Sequence, residues 1–246
     1  VYERLRPPGL PVAAEDLLRE ARLGDLAGDA RPYLFMNFVE SADGRATREG
    51  SSRELGSEAD LEMLLALRTI ADAVLVGPGT IRVEGYGRLV GNPQRRERRI
   101  AAGQVADPPL VLFSRSFDVP WEAAVFDASE QPVLIYTAVY GEAPDVPAPV
   151  EVVTLDPYSS AAALADLRRR GVRALLSEGG PTLFRGLLDQ GLVDELFLTL
   201  SPELVGGEER RVIGGPPLGA PVALGLQWTL QAGDELFLRY RIGPAS

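Results

Sequence analysis

Apolar residues along this chain fall into short runs bounded by Gly, Pro and charge, and segments with helical spacing lie between the runs. PYLFMNFV (32–39), ADAVLVG (71–77), PLVLFS (109–114), PVLIYT (132–137), VEVVTL (150–155) and VRALLS (172–177) read as buried strands, because they are short, apolar and rich in β-branched or aromatic side chains. DELFLTLSPELVG (194–206) predicts a further strand, and LQWTLQAGDELFLRYRI (226–242) alternates around a Gly-Asp turn, which predicts a closing hairpin. Leu61, Leu64, Leu65 and Leu67 share helical spacing in a segment capped by Ser57 and running to about Ile70. Glu58 and Asp60 stand in its first turn, where the helix macrodipole favours acids. Ser160–Arg170 predicts a helix closed by Gly171 in a left-handed cap, and Pro181–Gln190 predicts another. The stretch 85–109 is a Pro/Gly/Arg-rich excursion, helical around Gln94–Gly103.

Strands alternate with helices through the first two-thirds, and strands dominate the end. That order predicts an α/β fold: a three-layer α/β/α arrangement with a mostly parallel central sheet and an antiparallel C-terminal hairpin. Residues 1–30 read as an N-terminal arm with a short amphipathic segment, laid on a single domain at 31–246.

Composition narrows the chemistry. The chain has no Cys, no His and no Lys, so all 25 basic residues are Arg. Thiol nucleophiles, Cys/His zinc cages, imidazole bases, Schiff-base lysines and the Walker A lysine are excluded, and no metal site is predicted. Catalysis must rest on carboxylates, Arg, hydroxyls, backbone groups or a cofactor that carries the hard step. A net charge of −10 argues against nucleic acid and anionic membranes as partners. Arg95, Arg96, Arg98 and Arg99 form a basic cluster, read as the solvated face of a helix. With neither a membrane-length apolar stretch nor a signal-peptide pattern, the expected location is the cytoplasm.

Three strand exits bear on function. In SEGGPTLFRGLL, Ser177 and Glu178 end a strand, and Gly179, Gly180 and Pro181 lead into a helix. Glycines clear the helix entrance, Pro181 gives up no needed donor, and the first-turn amides are free to hold an anion. A compact turn without a ligand is the plainer reading, but a carboxylate at the C-terminal end of a strand sits where open α/β sheets bind ligands. LVGPGT repeats the design at Gly77, Pro78, Gly79 and Thr80. NFVESADGRA leaves its strand through Asn37, Glu40, Ser41 and Asp43, which also suits a structural Asx turn.

Together SADGRA, GSSRELGS, DAVLVGPGTIR, LFSRS and LLSEGGPTLFRGLLDQGLVDELFLTLSPELVGG resemble, in order, the riboflavin-pathway pyrimidine reductases. This is the reductase half of the bifunctional deaminase–reductase, with a dihydrofolate-reductase-like fold. The resemblance spans about Arg31 to Ile242 and implies a stand-alone reductase without a deaminase domain. It implies NADPH as cofactor, a small-molecule substrate, 5-amino-6-(5-phosphoribosylamino)uracil, and a homodimer. Carried over by position, Val39, Gly77, Gly79, Thr80, Glu84, Ser114, Arg115, Gly179, Gly180, Pro181, Thr182 and Leu183 would contact NADPH, with the 2′-phosphate near Ser114 and Arg115. Asn37, Ser52, Arg68 and Arg88 would bind substrate, and Asp43 and Glu178 would be catalytic. The family's Asp-Asp-Pro-Arg-Leu is here EGYGRL (84–89), one residue longer, which changes the reach of Arg88. Two other readings stay open: a dihydrofolate-reductase-like enzyme with a drifted substrate, and a non-catalytic NADPH-binding protein.

Overall fold

The computed structural model describes residues 1–243 and groups them into two compact units. The first comprises 1–21, 34–66 and 178 onward; the second comprises 22–33 and 67–177.

In the second unit, β4 (Ala73–Val76), β5 (Leu110–Phe113), β6 (Val133–Thr137), β7 (Val150–Thr154) and β8 (Ala174–Ser177) pair in parallel in the order β8-β4-β5-β6-β7. β4, β5, β6 and β8 are buried along their whole length, as expected of parallel strands covered on both faces. Its helices are α3 (Pro78–Glu84), α4 (Pro93–Ala101) and α5 (Ser160–Arg169). Ser159 caps α5 by accepting from the Ala162 amide at 3.3 Å, and Gly171 (φ 93°) closes it.

The first unit contains β1 (Tyr2–Arg6), β2 (Pro8–Val12), α1 (Ala14–Ala21), most of β3 (Tyr33–Ser41), the start of α2 (Glu58–Ile70), α6 (Pro181–Asp189), β9 (Glu195–Ser201), β10 (Leu224–Ala232) and β11 (Glu235–Ile242). Its strands run β2-β1-β10-β11-β9-β3 and are antiparallel except for β3–β9. The predicted hairpin forms, with Ala232 opposite Glu235 across the Gly-Asp turn. It does not close the sheet, because β1 pairs with the outer side of β10. The chain's beginning, read as an arm, supplies strands as well as α1. The strand at Pro8–Val12 was hidden by its two prolines, which cannot donate to a ladder and so suit the edge of a sheet. A mixed α/β fold with parallel strands and an antiparallel C-terminal hairpin is what the chain adopts.

The predicted α2 cap is present: Ser57 Oγ accepts from the Ala59 and Asp60 amides at 3.0 and 3.4 Å, and donates to Glu235. One reading is overturned. Arg95 and Arg99 are not solvated; they are 6% and 0% exposed, while Ile100 on the same helix is 60% exposed. Arg99 Nη1 donates to the carbonyls of Arg68, Thr69 and Ala71 at 3.0, 2.9 and 2.6 Å, and Arg95 reaches the Thr69 hydroxyl at 3.4 Å. The last carbonyls of α2 lack intrahelical donors, and a buried guanidinium fork satisfies several at once. Burial lowers the Arg99 pKa to about 10, which still leaves it charged at neutral pH. Among the described residues no helix is long and apolar enough to cross a membrane.

Candidate active site

In the first unit the site residues gather around the exit of β3 and the entrance of α6. Phe38 of β3 stacks on Phe184 of α6, with ring centroids 5.3 Å apart. Gly179 lies against the Phe38 ring: its φ is +85°, and a Cβ there would stand 2.8 Å from Phe38 Cζ. Only glycine satisfies both conditions, so the Gly179 expected from the motif has a structural cause. Gly180 is the N-cap of α6 and Pro181 its first residue, with no side chain among the described residues capping the first-turn amides. Thr182 is exposed and Leu183 half-buried, so this turn is open to an anion as the sequence motif implies. Such a turn fits the diphosphate of a dinucleotide. Glu178, immediately before it, is half-buried.

At the β3 exit, Asp43 sits in a turn closed by Gly44 (φ 79°), whose amide donates to the Ser41 carbonyl at 2.9 Å. Its carboxylate accepts from the Ser41 hydroxyl at 2.5 Å, the Val205 amide at 3.0 Å and the Gly206 amide at 2.7 Å. These hydrogen bonds, Ser41's first, hold Asp43 well below the usual carboxylate range. Asp43 is therefore a poor proton source and a firm anchor for the loop after β9. Asn37 is half-buried on β3 beside Phe197, and Ser52 is half-buried in the loop before α2. Val39 is buried, in register with Thr199, so its backbone is what it offers a ligand.

The second unit carries the other predicted residues. Gly77 caps α3 with no side-chain bond, Pro78 is its first residue, and the Thr80 amide donates back to the Gly77 carbonyl at 3.0 Å. Gly79 is exposed, Thr80 half-buried, and Glu84 ends the helix before Gly85 in a left-handed cap. After β5, Ser114 is buried and its hydroxyl donates to the Asp118 carbonyl at 3.1 Å, whereas the adjacent Arg115 is exposed. Arg115 is thus the better placed of the two to meet a phosphate. Arg68 projects from the end of α2, lies 5.4 Å over the Tyr86 ring and donates to the Leu89 carbonyl at 3.3 Å. Arg88 is spoken for: it makes a bidentate pair with Asp107 at 2.7 and 2.6 Å and faces Glu130 at 3.5 Å. The longer EGYGRL loop delivers this guanidinium to a pair with Asp107.

A family model for the RibD C-terminal domain matches residues 32–237. The chain belongs to this family. It is 30% identical over 184 residues to a 2,5-diamino-6-ribosylamino-4(3H)-pyrimidinone 5′-phosphate reductase of Archaeoglobus fulgidus, which covers 73% of this chain and 84% of that protein. A reductase of the same name from Methanothermobacter thermautotrophicus is 27% identical, covering 86% of this chain and 99% of the relative. The crystal structure of a pyrimidine reductase-like protein from Corynebacterium diphtheriae superposes with a TM-score of 0.80 at 26% identity, covering 95% of this chain and all of that one.

This RibD C-terminal domain family member also holds elements that sequence reasoning passed over. The loop 202–223 is one, and its Gly-Gly pairs at 206–207 and 214–215 were the available signal. A second is the acidic pair under α2. Asp60 is pushed up to about 6 by burial, with Glu235 adding to the rise and a hydrogen bond from Thr199 opposing it. Glu235 is buried and accepts from the Ser57 amide at 3.2 Å. Glu235 lies 178 positions from Ser57 along the chain, so no local pattern announces its place beside the start of α2.

Proposed function

We propose that this chain is an NADPH-dependent pyrimidine reductase that converts the ribosylamino group of a pyrimidine 5′-phosphate into a ribitylamino group. The observation that carries the reading is the open α6 entrance behind Glu178-Gly179-Gly180-Pro181, set beside the β3 exit in a chain of this family. NADPH, when bound, supplies the hydride. In the first unit the first-turn amides of α6 would hold its phosphates; in the second, the Gly77–Thr80 turn and Arg115 each have the chemistry for a phosphate. Glu178 orients sugar hydroxyls and Asn37 meets the pyrimidine. Ser52 of the first unit and Arg68 of the second each have chemistry suited to the 5′-phosphate, a hydroxyl and a planar guanidinium. Chemistry is then mostly positioning. Asp43 serves as an anchor; its depressed carboxylate leaves the proton to Glu178 or water.

The homodimer belongs to this reading. Leu198, Leu200, Leu236 and Leu238 alternate with buried residues on β9 and β11 and stay half-buried, an apolar face that a second copy would cover. The work is cytoplasmic, where NADPH is at hand.

Two substrates differ only in whether the pyrimidine has already lost its amino group at position 2. The uracil form is the one implied by resemblance to the bifunctional enzyme; the stand-alone relatives are named for the diamino form. NADPH oxidation should be followed with both pyrimidines and with dihydrofolate. Turnover with either pyrimidine, and its loss on removing the 5′-phosphate, is the expected outcome. Turnover with dihydrofolate alone would overturn the assignment, as would tight NADPH binding without turnover on any of the three.

A further inference from the structure

The chain between β9 and β10 runs from the β3 exit to the entrance of α6. At its start, the Ala42 amide donates to the Glu203 carbonyl at 2.8 Å, and Asp43 accepts from the Val205 and Gly206 amides at 3.0 and 2.7 Å. A second anchor follows: Thr47 donates to Glu209 at 2.6 Å and accepts from the Arg210 amide at 3.2 Å, while the Ala46 amide donates to the Arg210 carbonyl at 2.6 Å. At the far end, a Cβ on Gly214 would stand 3.4 Å from Pro181 Cβ and 3.9 Å from the Thr182 amide nitrogen. Arg185 of α6 donates to the carbonyls of Pro216 and, at 3.4 Å, Pro217. Between the anchored start and Gly214 the chain has only Val212 buried, so the anchors set where this strap lies.

We propose that Asp43 is a positioning residue that acts through the 203–217 strap, setting Gly214 beside the first turn of α6 and so controlling dinucleotide affinity. The strap packs its backbone against the anion turn, where the Gly214 amide donates to the Pro181 carbonyl at 3.5 Å. Asp43 holds the strap in its ionised form, which its hydrogen bonds to Ser41, Val205 and Gly206 favour. Motif reasoning makes Asp43 catalytic; the geometry makes it the fixed end of a clamp.

The inference rests on α6 binding a dinucleotide, and the experiment separates the two. NADPH Kd is measured by its fluorescence, and amide exchange of peptides covering 203–217 is followed with and without NADPH. Wild type, Asp43→Ala and Thr47→Val are compared, with thermal melts to confirm folding. The wild-type strap should exchange more slowly when NADPH binds. Asp43→Ala should speed strap exchange at least tenfold in the free protein and raise NADPH Kd about tenfold. Thr47→Val, which loosens only the second anchor, should move both in the same direction by less and stands in if Asp43→Ala fails to fold. A variant that loses kcat while keeping NADPH Kd within twofold would overturn the inference and return Asp43 to the chemistry. Wild type that binds no dinucleotide at all would overturn the proposed function, and the inference with it.

Discussion

Five helices of this protein, α2 to α6, begin in two ways. α2, α4 and α5 start behind Ser57, Asn92 and Ser159, whose side chains accept from amides of the first turn. α3 and α6 start behind Gly77 and Gly180, each followed by proline, with no side-chain cap among the described residues. A side-chain cap contributes about 1 kcal/mol to a helix. α2, α4 and α5 use it, and the two starts read as phosphate sites leave it out. An amide satisfied by the protein itself is not available to a ligand, so stability and binding compete for the same donors.

The largest effect expected from disturbing this contrast is at Gly179. Alanine there must adopt φ near +85° with its Cβ pressed against the Phe38 ring. A left-handed non-glycine residue costs about 1–2 kcal/mol and overpacking about 1–3. Gly179→Ala should therefore lose about 2–5 kcal/mol in urea unfolding, with NADPH binding weakened beyond detection. A loss below 1 kcal/mol would show that the α6 entrance tolerates a side chain and is not shaped by close approach.

Next is Asp60, in the capped first turn of α2. Its pKa is raised from the unfolded value near 3.9 to about 6, so the folded state binds the proton more tightly. Stability is full below about pH 4, declines as pH rises toward 6, and stays lower above that. Asp60→Asn removes this dependence. The stability of the variant relative to wild type should grow by about 2–3 kcal/mol between pH 4 and pH 8. A difference independent of pH, in chemical unfolding at both values, would mean that the pair with Glu235 shares its charge differently.

The smallest effects sharpen the contrast most. Ser159→Ala should cost about 1 kcal/mol and leave NADPH Kd unchanged. Gly77→Ser supplies a cap where there is none; it should stabilise by only a few tenths of a kcal/mol yet raise NADPH Kd several-fold by occupying the amides. If both variants leave Kd alone, α3 is an ordinary helix and the dinucleotide is held by α6 without it.

Local patterns carried much of this. The strands of the second unit announce themselves because burial on both faces demands unbroken apolar runs, as in ALLS and LVLF. Ser57 and Gly171 marked helix ends through chemistry that acts within a few residues. The Glu178–Pro181 motif located the α6 entrance for the same reason. What was illegible depended on distant partners. Arg95 and Arg99 looked like a solvated face until the carbonyls ending α2 were seen to need them. Arg88 read as a substrate residue, and nothing near it in the chain announced its pair with Asp107.

From its own order of residues this chain determined which of its apolar runs after residue 31 would be strand or helix, that no His, Cys or Lys chemistry was open to it, and that glycine and proline would leave two helix entrances bare. Those are consequences of covalent structure and of interactions over a few residues, and they hold before the chain folds. The tertiary structure decided which charges would be spent on the protein itself. Asp43 became a tether because Val205 and Gly206 came to it from more than 160 residues away. A carboxylate or guanidinium has the same chemistry everywhere; whether it anchors a loop or meets a ligand depends on which donors and acceptors the fold brings within about 3 Å.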